Sequence, residues 1–152
     1  MKNKAFTLVE VIIAVTIIGV TLTAVYGLII SVMSANARNL HNLQASQYAA
    51  EGLEVMRFMR DSNWLQNYAW DRGDLDLKGA AGKMLNLHEM ESPPYWEFSS
   101  EPEVLAGIFT RKIAIKKTDY ENAIEVVSTV YWTERGVGKN YSVSTFLSDW
   151  HD

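Results

Sequence analysis

The chain contains no cysteine, so disulfide frameworks and thiolate metal sites are excluded in any compartment. Proline is nearly absent: there are three, and none precedes Pro93. Nothing in the first ninety residues therefore forbids a long helix. Charge is missing from one long stretch. Between Glu10 and Arg38 no residue is ionisable as acid or base except Tyr26. Basic residues are also in deficit, with 14 Lys and Arg against 18 Asp and Glu and a net charge of −4. That balance argues against general nucleic-acid binding, which needs a basic surface. Histidine is sparse as well. His41, His88 and His151 stand apart, and no Ser, Asp or Glu near them has the spacing of a catalytic triad or a metal pair. Enzymatic chemistry has no foothold here, and no cofactor is implied.

What is present is an apolar run. Val11 to Met33 is almost wholly hydrophobic and exceeds the ~20 residues that cross a bilayer as a helix. Lys2 and Lys4 precede it, and positive flanks stay in the cytoplasm, so the remainder is expected outside. Three readings of the run compete. A secretory signal peptide would use Ala35-Asn36-Ala37 for cleavage, but its apolar region is only about 7–15 residues long. A plain anchor, holding an outer domain that binds a ligand or partner, explains the run and gives Glu10 no task. An acid within a span costs roughly 3 kcal/mol on insertion scales, so Glu10 demands a reason. Snorkelling to the cytoplasmic headgroups is one.

The third reading rests on "KAFTLVEVIIAVTIIG". This segment resembles the N-terminus of type IV prepilins and type II secretion pseudopilins. The resemblance implies a leader, Met1 to Ala5, removed on the cytoplasmic side by the membrane prepilin peptidase. The new N-terminus would be Phe6, N-methylated, and Glu10 would be the fifth mature residue. Gly19 falls where many members keep a glycine. Ala5 replaces the usual glycine at the cut, and Gly27 stands where major pilins often have proline. Cleavage would create a cationic α-amine at a helix head that is buried on assembly. Opposite charges about 4 Å apart attract by roughly 4 kcal/mol at an effective dielectric near 20. Glu10 is thus expected to pair with the amine of a neighbouring subunit and set axial register. The implied partners are other pilin or pseudopilin subunits, prepilin peptidase, the inner-membrane assembly platform and membrane lipid.

Beyond the apolar run, Ala45, Ala49, Leu53 and Met56 recur at helical spacing and predict one buried face. Glu54 and Arg57 are placed to pair. One helix is expected from about Phe6 to Asp61, with Gly19, Gly27 and Gly52 as its weak points. Residues 62–107 read as irregular, with short strands near Lys83 to Leu87 and Tyr95 to Phe98. Three clearer strands follow. Phe109, Arg111, Ile113 and Ile115 share a face. So do Ile124, Val126, Val130 and Trp132, and so do Tyr141, Val143 and Leu147. Turns are expected at Asp119 to Asn122 and Arg135 to Asn140. The result is an α+β chain: leader 1–5, transmembrane and assembly helix 6–35, amphipathic helix 36–62, and a loop-and-antiparallel-sheet domain 63–152. A long helix on such a sheet is also what the pilin resemblance implies.

Asp71, Asp74 and Asp76 lack EF-hand spacing and read as a solvated turn rather than a calcium site. Lys112 and Lys116 read as the solvated face of a strand. Trp64, Trp70, Trp96, Trp132 and Trp150 read as core or half-buried. The missing proline at Gly27 and the missing cysteine pair near the C-terminus point to a minor component, and the stretch "AAEGLEVMRFMRDSNW" resembles those of minor pilins of the V type and related type II secretion minor pseudopilins. The implied function is structural: a filament subunit, first anchored in the cytoplasmic membrane and then built into an extracellular or periplasmic fibre.

Overall fold

A computed structural model describes residues 7–73, 84–88, 95–99, 103–120 and 122–149. Its elements are helix α1 (Leu8–Leu65) and strands β1 (Met84–His88), β2 (Tyr95–Ser99), β3 (Glu103–Leu105), β4 (Phe109–Lys117), β5 (Ala123–Glu134) and β6 (Val137–Ser148). The chain forms two compact units, Met1–His41 and Asn42–Asp152. In the first, the described residues form helix, and their large apolar side chains from Leu8 to Met33 face outward. This stretch is long and apolar enough to cross a membrane.

The second unit is α+β. Its four-stranded antiparallel sheet has the order β3-β4-β5-β6, and β1 pairs with β2 in a separate hairpin. The helix segment in this unit buries Ala45, Ala49, Gly52, Leu53, Val55 and Met56. The stripe expected from spacing is thus the one that packs. Against it lie Phe109, Ile113 and Ile115 of β4, Ile124, Val126, Val130 and Trp132 of β5, and Leu147 of β6. The strict alternation of burial along β4 and β5 places every second side chain on the helix. Ala45 and Ala49 leave room for the aromatic cluster beneath them. Phe109 sits 5.5 Å from Tyr48 and 5.8 Å from Trp132, both tilted at 56°. Each such contact contributes about 0.5–1.5 kcal/mol beyond area burial.

The helix runs past its expected end at Asp61 to Leu65, because its stop signal is not a proline or glycine. Asn67 adopts φ 58°. The Tyr68 N–H bonds the Asn63 carbonyl and the Asn67 N–H bonds that of Trp64, both at 2.9 Å. This is a Schellman ending with asparagine in the left-handed position. The Asn63 amide then donates to the carbonyls of Trp70 and Arg72, each at 3.0 Å, and ties down the exit.

Two further expectations need correction. The region 62–107 is not irregular throughout, since Glu103–Leu105 forms β3 on the edge of the sheet. The last turn is shorter than Arg135 to Asn140. Arg135 (φ 51°) and Gly136 (φ 77°) alone form it, as a type I′ hairpin matched to strand twist. Val137 to Asn140 therefore join β6, in continuous register from Glu134↔Val137 to Ala123↔Ser148. Tyr141 shares the inward side with Val143 and Leu147 yet stays 41% exposed. Trp70 and Trp132 are buried and Trp64 and Trp96 half-buried, while Trp150 lies outside the described residues.

Candidate functional site

The candidate site is the start of α1. Thr7 precedes the helix and Glu10 lies in its first turn. The Thr7 backbone N–H donates to Glu10 Oε2 at 3.1 Å, and the Thr7 hydroxyl donates to the same oxygen at 3.2 Å. The Glu10 N–H reaches Thr7 Oγ1 at 3.3 Å. This is a capping box, T-x-x-E, in which side chains satisfy amides the first helical turn cannot pair. The carboxylate also complements the positive end of the helix dipole. So Glu10 has a local task even in a single subunit, one that reading it as a bare membrane acid missed. The signal was available: a threonine three residues before a glutamate that opens an apolar run. Among the described residues, Oε1 of Glu10 accepts no hydrogen bond.

Farther along, the helix hides its own polar groups. Thr16 and Thr23 donate their hydroxyls to the carbonyls of Ile12 and Val20, both at 2.8 Å, and Thr21 bonds that of Ile17. Such back-bonding satisfies hydroxyls where lipid offers no partner. Ala5 and Phe6, expected to flank the cleavage point, lie outside the described residues.

The second unit holds a polar constellation of a different kind. Arg111 lies on the inward side of β4, as its spacing implied, and is 0% exposed. Its Nη1 donates to Glu51 Oε2 at 2.9 Å and to the Tyr48 carbonyl at 3.0 Å, and its guanidinium lies 5.3 Å from the Trp96 ring centre. A buried guanidinium is tolerated only when charge and donors are matched in this way. The group clamps helix to sheet. Gly52 sits at the same crossing. A Cβ there would meet Ser128 Oγ at 2.7 Å, Ile113 Cδ1 at 2.8 Å and Arg111 Cδ at 3.1 Å. The expected weak point in the helix is thus its point of closest approach.

Of the remaining candidates, Lys112, Lys116 and Asp71 lie at the surface. Lys112 is partly exposed on the outer sheet face, and Lys116 lies 3.9 Å from Glu125. Asp71 is exposed, whereas Asp74 and Asp76 lie outside the described residues. Among the described residues no cluster of three His, Cys, Asp or Glu is arranged to hold a metal. An open depression of about 310 Å³ is lined by residues that include Phe58, Ser62, Asn63, Tyr68, Arg72 and Trp96.

Comparison with known proteins agrees on the N-terminus. Residues 1–26 match the prokaryotic N-terminal methylation motif. No curated protein and no solved structure matches the chain. The motif, with a helix long and apolar enough to cross a membrane, fits a membrane-anchored pilin-like protein. The chain carries the type IV prepilin-like signal, and that signal, with a long helix packed on an antiparallel sheet, fits the pilin and pseudopilin family.

Proposed function

We propose that this chain is a minor structural subunit of a type IV pilus or pseudopilus-type filament. Prepilin peptidase cuts between Ala5 and Phe6, Phe6 is N-methylated, and the subunit waits in the cytoplasmic membrane with its sheet domain outside. The assembly platform then moves it into the filament, where its helix packs among those of other pilin or pseudopilin subunits. The observation that carries this reading is the methylation motif over residues 1–26.

Glu10 takes two roles in sequence. Before assembly it caps its own helix through Oε2. On assembly its carboxylate meets the methylated α-amine of a neighbouring Phe6, and the pair tolerates burial that neither charge would tolerate alone. Gln also serves a capping box, so Glu10→Gln separates the roles: it keeps the cap and removes the charge.

Mass spectrometry of the protein from cells that carry the assembly machinery tests the proposal. The expected mature chain begins at N-methylated Phe6. An intact Met1 would support an unprocessed anchor with an outer binding domain, and a start at Arg38 would support a secretory signal. Either result overturns the filament reading.

A further inference from the structure

The sheet face turned away from the helix has a gap in its side-chain cover. Its residues stand in rows across three strands. Thr110 of β4 lies opposite Tyr131 of β5, which lies opposite Asn140 of β6. In the next row Thr133 lies opposite Gly138, the diagonal neighbour of Tyr131. These five residues line an open depression of about 450 Å³. Glycine weakens a strand, and its usual reasons there are a left-handed backbone, a bulge or the close approach of another group. Gly138 is not left-handed, unlike Gly136 at φ 77°. Its register with Thr133 is unbroken, so it is no bulge. A Cβ on it would meet nothing within 4 Å. Nothing in this chain fills the space it leaves, so the remaining reason is a group from outside. The rim of the gap has a distinct chemistry. Tyr131 is 44% exposed. One row on, Thr129 and Ser142 bond each other at 2.9 Å, whereas no side-chain hydrogen bond joins Thr110, Thr133 or Asn140 to another described residue. Lys139 is the only charged lining residue among those described.

We infer that this depression binds a hexopyranose unit of a polysaccharide. A sugar ring presents an apolar C–H face, which stacks on the Tyr131 ring over the space left by Gly138. Its hydroxyls both donate and accept, and so do the side chains of Thr110, Thr133 and Asn140. Strands about 4.8 Å apart and rows about 6.8 Å apart make a platform of about 10 by 7 Å, the footprint of a sugar ring with its hydroxyls. A peptide strand would instead seek backbone partners along a sheet edge, and a nucleic acid would need more cations than Lys139 alone. Lys139 permits a carboxylate on the sugar without requiring one. Binding here depends on neither leader removal nor assembly, so it stands or falls apart from the filament reading.

Ligand-observed NMR titration of the full-length chain, in a detergent without a sugar headgroup, tests the site. The probes are cellotetraose, chitotetraose and tetragalacturonate, which separate a neutral, an N-acetylated and an acidic source. At least one should bind with a Kd of about 1–3 mM, the scale set by the contact one ring can make. Tyr131→Ala should weaken that binding about tenfold, and Tyr131→Trp, which keeps a stacking face, should retain it. Gly138→Leu fills the depression without a clash in the fold and should also weaken binding about tenfold with no fall in the unfolding midpoint. Phe146, three rows along the same face and 61% exposed, is the control, and Phe146→Ala should stay within twofold of the parent. The inference is overturned if no probe binds below about 20 mM, or if Gly138→Leu binds as the parent does. Equal losses in Phe146→Ala and Tyr131→Ala would mean diffuse aromatic contact and overturn the site. If no sugar binds and Gly138→Leu instead fails to enter filaments, the gap seats a neighbouring subunit and the saccharide assignment is wrong.

Discussion

Replacing Gly52 by alanine sets two well-defined effects against each other. In a helix, alanine is favoured over glycine by about 1 kcal/mol, so propensity alone makes Gly52→Ala stabilising. The packing opposes it. The new methyl would stand 2.7 Å from Ser128 Oγ, 2.8 Å from Ile113 Cδ1 and 3.1 Å from Arg111 Cδ. Comfortable separations are about 3.5–4.0 Å, so helix and sheet must part by several tenths of an ångström or more. All three neighbours are 0% exposed, which leaves their side chains little space to yield. Overpacking of this kind costs about 1–3 kcal/mol. The net expectation is a loss near 1 kcal/mol, against a gain near 1 without the crossing. Denaturant unfolding of the detergent-solubilised chain, followed by tryptophan fluorescence, measures it, since Trp70 and Trp132 are buried in this unit. Ala50→Gly, at an exposed position two residues away, calibrates the propensity at this point of the helix. Ser128 supplies the internal check. Its hydroxyl is buried and without a hydrogen-bond partner among the described residues, so Ser128→Ala alone should cost little. Combined with Gly52→Ala, it removes the nearest obstruction and should recover part of the loss. A Gly52→Ala chain more stable than the parent would refute the close-approach account.

Four other outcomes are expected. Glu10→Gln should insert into the membrane normally and leave helix content unchanged, yet enter sheared filaments poorly beside wild type; equal incorporation would remove the charge-pairing role. Thr7→Ala should fray the first turn at a cost of about 1 kcal/mol, read as faster amide exchange at the head of the helix. Glu51→Ala strands Arg111 in the core and should cost about 1–3 kcal/mol, the range reduced because the Glu51 side chain is 46% exposed; Arg111→Met, which leaves that glutamate free to hydrate, should cost less in the same unfolding assay. Gly136→Ala forces a Cβ into φ 77° and should destabilise the β5–β6 hairpin by about 1 kcal/mol, visible as a lower unfolding midpoint.

Much of the architecture could be read from residue order because it follows periodicity. Ala45, Ala49, Leu53 and Met56 repeat at 3.6, and Phe109 to Ile115 and Ile124 to Trp132 alternate at 2, so each buried face was written into one element. Where an element ends depends on rarer chemistry. Asn67 in a left-handed conformation stopped the helix later than polarity suggested, and a two-residue turn at Arg135-Gly136 lengthened β6. The N-terminal motif was legible because its residues lie together along the chain, within residues 1–26. The capping box is equally local, since Thr7 and Glu10 lie three residues apart.

Sequence alone determined the apolar run, the inward faces of the strands and the prepilin-like start, because each depends on neighbours close along the chain. Only the tertiary structure decided that Gly52 is a contact rather than a flaw, that Arg111 is sealed beneath Glu51 and Trp96, and that β6 takes the end position of the four-stranded sheet. Those are properties of surfaces brought together from distant residues, and no local pattern carries the distance between them.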